Sequence, residues 1–127
     1  MYNKQLYLND QEWNKCVDSL KKIAAMLIHH EITMNEGVLE ICILLHNFPD
    51  SIYENKNFLK FIGFSSETVH LPTRNSPSRK LWNKNSLLKT DHELEKIEAH
   101  YANGIIESCK FILNFDFDGF RRKLLSR

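Results

Sequence analysis

Glycine is scarce in this chain of 127 residues: there are four, all isolated. That excludes a Gly-rich phosphate loop and a G-x-S-x-G nucleophile elbow, both of which need clustered glycines for tight turns. Proline occurs three times, and two of the three fall within residues 63–82, leaving long stretches free of helix breakers. No run alternates apolar and polar residues over strand length, so no sheet is expected. The strongest apolar run, Ile41–Leu45, is far too short to span a bilayer. The first thirteen residues hold no apolar core of a secretory signal. Excess charge is missing too: the formal net charge is +1, unlike the basic surplus of a dedicated nucleic-acid binder. The three cysteines, Cys16, Cys42 and Cys109, are odd in number and widely spaced, with no C-x-x-C. This pattern predicts reduced thiols on the apolar sides of helices in a cytoplasmic protein.

What is present is helical periodicity. Hydrophobic residues make up 43% and charged residues 26%, the composition of one globular domain with one core. Asn9 and Glu12 form a capping-box pattern ahead of Trp13, Cys16, Val17, Leu20, Ile23, Ala24, Leu27 and Ile28, which predicts a first helix over residues 10–30. Thr33 and Glu36 open a second, apolar around most of its circumference and so expected at the centre of the core. Asp50 is read as the cap of a third helix, with Gly63 at its C-terminal stop. The last long helix is expected to start near Asn85 or at Thr90, and Asp118 to cap a short segment up to Leu125. The expected fold is all-α. It is a single domain, residues 1–127, built as a bundle of four to five main helices with a long ordered loop, residues 63–85, between helices three and four. Leu81 and Trp82 are expected to pin that loop to the core.

Several constellations suggest chemistry. Glu67 and His70 share E-x-x-H spacing, but a bundle metal site needs a second such pair, and none exists. Pro72 also opposes a helix there. The alternative expectation is an ordered loop in which Ser66, Glu67, Thr68 and His70 satisfy backbone groups and one another. His30-Glu31 would begin a zinc H-E-x-x-H motif, but position 34 is Met34. No histidine follows any of Arg74, Arg79, Arg121, Arg122 or Arg127 at the spacing of an Arg…His ribonuclease pair. No catalytic residue, metal ligand or cofactor is therefore assigned. From Asp91 to Glu107 the chain carries Asp91, Glu93, Glu95, Glu98 and Glu107 against Lys96 alone. At helical spacing Asp91, Glu95 and Glu98 share a narrow arc. They form a solvated face or an anion-like ridge for a basic partner surface. Between Thr68 and Thr90 there is no acidic residue, and Arg74, Arg79 and Lys80 supply the opposite sign. These six residues, Asp91, Glu95, Glu98, Arg74, Arg79 and Lys80, are the expected partner-binding set.

The segment Ser66-Glu67-Thr68-Val69-His70-Leu71-Pro72, followed by Leu81-Trp82 and then Asp91, Glu98, Tyr101 and Cys109, resembles a group of small helical bacterial proteins. These carry an S-E-T-x-H-[LI]-P segment, a tryptophan-containing loop and a long helix. The group includes immunity proteins of contact-dependent growth inhibition systems. The resemblance implies a cytoplasmic toxin inhibitor that binds a cognate toxin domain, a nuclease with ribonucleases included, and covers its active site. It implies no catalysis, no cofactor, no direct contact with nucleic acid and no membrane. Partner contacts do not transfer by motif, so Ser66, Glu67, Thr68, His70, Pro72 and Trp82 are read as fixing the loop. Two rival expectations stand: a small metal-dependent or RNA-cleaving enzyme using Glu67, His70 and His100, and a helical scaffold or homodimer with an exposed apolar helix face.

Overall fold

The computed structural model describes residues 8–71 and 77–126. Among them there are five α-helices and no strand, so the all-α bundle expected from the periodicity is what the chain forms. α1 (Asp10–Ile28) starts at the Asn9–Glu12 capping box, with Asn9 Oδ1 accepting from the Glu12 amide at 2.8 Å. It ends in a Schellman arrangement: the His30 amide donates to Leu27 and the Glu31 amide to Met26, with His30 left-handed at φ 57°. α2 (Met34–Leu45) is capped by Thr33.

Beyond α2 the boundaries depart from expectation. Asp50 opens a 3-10 turn (Asp50–Glu54) rather than the third helix. α3 (Lys56–Thr68) is capped instead by Asn55. Gly63 does not stop it. The Tyr101 hydroxyl lies 3.3 Å from where a Gly63 Cβ would sit, so this glycine admits a neighbouring helix instead of a left-handed turn. The expected 63–85 loop is correspondingly shorter, because its first six residues belong to α3. A second 3-10 turn covers Pro77–Leu81, and α4 (Lys84–Asn114) begins at Asn83, whose Oδ1 accepts from the Ser86 amide at 2.7 Å. Thr90 is thus buried one and a half turns inside α4 and caps nothing. α5 (Phe117–Leu125) is capped by Asp116, not Asp118.

α1 contacts α2 and α4, and α3 contacts α2 and α4. The four helices therefore form a ring, with α2 and α4 at diagonal corners. Inside it lie Leu20, Ile41, Leu45, Phe61, Ile105 and Ile112. α1 and α2 approach closely at Gly37, where an added Cβ would stand 2.5 Å from Leu27 Cδ2. One end of the ring is closed by an aromatic cluster. Trp13 meets Phe48 edge-on at 4.8 Å, Phe48 meets Phe117 at 5.7 Å, and Phe115 meets Phe117 at 4.8 Å. Arg121 of α5 covers Trp13 with its guanidinium 5.2 Å from the ring, and donates to Asp10 and to the Leu8 carbonyl.

Two apolar expectations fail. Leu81 does not pin the connecting segment, since it is 88% exposed, and Trp82 is itself exposed. α2 is not buried all round, because Leu39 and Ile43 face outward. Among the described residues no helix is long and apolar enough to cross a membrane.

Candidate functional site

Three of the side chains singled out in the sequence, Glu67, His70 and Arg79, meet α4 from the end of α3 and from the second 3-10 turn. Thr68 sits in the last turn of α3, where its hydroxyl donates back to the Phe64 carbonyl at 2.9 Å, a bond open to threonine in a helix. The Glu67 carboxylate accepts from the Tyr101 hydroxyl, and this holds the phenol above its ordinary pKa. The Tyr101 ring packs edge-on against Phe64 at 5.7 Å. One turn on, His70 Nε2 lies 3.8 Å from Glu93 Oε1. Leu71 is buried, and its amide bonds the Thr68 carbonyl. Ser66 and Val69 point outward. The segment thus acts as a clamp that fastens the end of α3 to α4. The expected loop network does not form: the segment is helical up to Thr68, Thr68 alone of the four bonds a backbone group through its side chain, and Glu67 and His70 meet residues of α4 rather than one another.

Arg79 supplies the third tie. Its Nη2 donates to Asp91 Oδ2 at 2.7 Å, and the carboxylate raises the guanidinium pKa further. Both side chains are largely sheltered. This pairing changes the charge map expected from sequence. Asp91 is met by a basic residue of the same chain, while Glu95 stays exposed and Glu98 is half-buried with an electrostatic or hydrogen-bonding partner of its own. Lys80 is exposed. Arg74 and Pro72 lie outside the described residues. Trp82 adjoins the pair, its amide donating to the Arg79 carbonyl at 3.2 Å.

The geometry also separates the residues of the enzyme alternative. Glu67 is turned to Tyr101, His70 to Glu93, and His100 stacks against Tyr101 at 5.2 Å. Among the described residues no group of three or more His, Cys, Asp or Glu could hold a metal ion. The cysteines are set against nucleophilic work. Burial raises all three thiols, pushing Cys109 up to about 12, whereas an activated thiol is lowered.

Sequence reasoning missed the Arg79–Asp91 tie, because a separation of twelve residues across a turn follows no helical period. It also missed the outward apolar residues of α2 and α3. The signal available for those was a helix with more apolar residues than one buried face can use.

No curated protein and no solved structure matches this chain. A family profile described as "Protein of unknown function (DUF2489)" matches residues 3–112, and the chain belongs to that family.

Proposed function

We propose that this chain is an immunity protein: a cytoplasmic inhibitor that binds a cognate toxin domain of a contact-dependent growth inhibition system and covers its active site. The toxin is a nuclease, and the inhibitor itself performs no catalysis. The observation that carries this reading is one arc of α4, a helix of 31 residues, on which Glu95 and Glu98 are neighbours at helical spacing, Glu95 exposed and Glu98 half-buried. A nuclease cleft is basic because it holds phosphates, and a fixed row of carboxylates matches it. The clamp supports the reading as well. Three ties from α3 and the 3-10 turn hold the α4 face in one shape, which reduces the ordering cost of association. Lys80, exposed in the 3-10 turn that Arg79 ties to Asp91, carries the opposite sign and would set orientation.

Asp91 holds Arg79 in place, so its role is to position the turn beside the ridge. The experiment therefore reverses charge only at Glu95→Lys and Glu98→Lys. Binding of the toxin domain encoded beside this gene is followed by stopped flow over a salt series. The expected result is association slowed by about tenfold or more at low salt, with a shallower salt dependence. Unchanged association in a folded double variant would reject the ridge. Failure of the wild-type chain to bind that domain or to protect cells from it would reject the function.

A further inference from the structure

A cleft of about 550 Å³ opens between the first 3-10 turn, the end of α4 and α5. Its volume lies within the range of small-molecule sites. One wall is aromatic. The chain has eight phenylalanines. Five of them, Phe48, Phe58, Phe61, Phe64 and Phe117, are 3% exposed or less. The other three, Phe111, Phe115 and Phe120, are only half-buried, and all three line this cleft. Their rings follow one another, with centroids 5.3 Å apart from Phe111 to Phe115 and 6.0 Å from Phe115 to Phe120. A core buries its phenylalanines, as this one does the first five. Three rings left open in one concavity offer contact area to a molecule that enters it.

The polar groups of the cleft indicate which molecule. Ser51 lines it, and the Ser51 Oγ is buried with no hydrogen-bond partner among the described residues. Such a hydroxyl is costly, and a ligand donor reached by one χ1 rotation would satisfy it. Asp116 is already engaged. Its Oδ1 accepts from the Gly119 amide at 2.9 Å, and its Oδ2 lies 3.9 Å from Arg122 Nη2. Glu54 lines the cleft too, exposed and with no ion-pair partner among the described residues. α4 ends here at Asn114 with no basic residue in its last turn, so its own sequence does not offset the negative end of its dipole. A free carboxylate, a helix C-terminus and aromatic faces all attract positive charge. Lys123 is the one cation lining the cleft, and among the described residues it has neither an ion-pair nor a ring partner.

We infer that this cleft binds a small organic cation, a protonated amine carried on an aromatic body. The ligand ring packs on Phe111, Phe115 and Phe120, while Glu54 and the Ser51 hydroxyl hold the ammonium. Phe111 lies about 20 Å along α4 from Glu98. The cleft is therefore separate from the acidic ridge, and the inference stands or falls independently of the toxin reading.

Titration of the purified chain with phenethylammonium to millimolar concentration, followed by amide NMR shifts, tests it. The expected result is saturable shifts confined to residues 51–55 and 111–123. Glu54→Gln, Ser51→Ala and Phe120→Leu, each with unchanged helical circular dichroism, should weaken binding by about threefold or more. The last keeps an apolar side chain and removes only the ring face. Lys123→Gln takes away a competing charge and should tighten binding. Hydrocinnamate, with the charge reversed, and butylammonium, without the ring, should bind at least about tenfold more weakly. No saturable shift, or shifts centred elsewhere, would overturn the inference. So would wild-type affinity in any of the first three variants, weaker binding by Lys123→Gln, or either control compound binding as well as phenethylammonium.

Discussion

His30 is the residue whose backbone most directly opposes its side chain. It occupies the left-handed C′ position of α1, and its amide and that of Glu31 close the last turn. A residue with a Cβ pays about 1–2 kcal/mol for that conformation, whereas glycine adopts it freely but loses about 0.5–1 kcal/mol of unfolded-state entropy. The difference predicts that His30→Gly stabilises the fold by about 0.5–1 kcal/mol. A urea unfolding midpoint raised at constant slope would confirm it, and a lowered midpoint would show that the imidazole has a role the backbone argument omits. The sequence identified the end of α1 but not this conformation, because histidine is not the residue that announces a left-handed stop. Gly63 misleads in the opposite direction. It looks like such a stop, yet it sits inside α3 at φ < 0 to accommodate Tyr101. A glycine kept for closeness and one kept for torsion read alike until the neighbouring helix is known.

At the scale of elements, the ends of α3 and α4 depend on each other. Tyr101 fixes Glu67, Glu93 faces His70, and Asp91 holds Arg79. Tyr101→Phe keeps the ring against Phe64 and removes only the hydroxyl. The expected global cost is about 1 kcal/mol or less, since Glu67 is exposed. The sharper readout is local: amide hydrogen exchange at residues 68–71 should quicken while α1 amides are unaffected. Equal protection in both proteins would show that the Glu67 contact does not hold the segment. Caps explain which elements were legible in the sequence. Asn9–Glu12 and Thr33 have the full local chemistry of a helix start, and α1 and α2 begin where those residues say. Asn83 lacks an acidic residue three positions on, and the Thr90–Glu93 pair imitates a better cap, so the early start of α4 was one of two readings rather than the only one. The acidic ridge followed from helical spacing alone. Its partial neutralisation by Arg79 did not, because that contact is made by the path of the chain between two helices.

For the whole molecule, Cys109 links the core to pH. Complete burial pushes its thiol from 9.0 up to about 12. Between those values the folded thiol keeps its proton and the unfolded one has lost it. Unfolding then releases a proton, so stability is intact below pH 9 and falls as pH rises. The limiting slope for one such group is about 1.4 kcal/mol per pH unit. Burial shifts Cys16 and Cys42 the same way, so they add to the decline. Cys109→Ala should cost about 1–2 kcal/mol at neutral pH and unfold along a flatter curve above pH 9. Parallel curves for the two proteins would assign the alkaline decline to other groups.

The aromatic cluster at the closed end draws on both extremes of the described chain. Trp13 needs Phe48 beside it and Arg121 above it, and Phe48 in turn needs Phe117. During synthesis α1 and α2 leave the ribosome long before α5. Until α5 clears the exit tunnel, Trp13 and Phe48 lack the covering side chains it supplies and stay open to water and to other nascent polypeptides. Docking of α5 therefore completes the cluster, and the interval before it is when the chain most needs a chaperone.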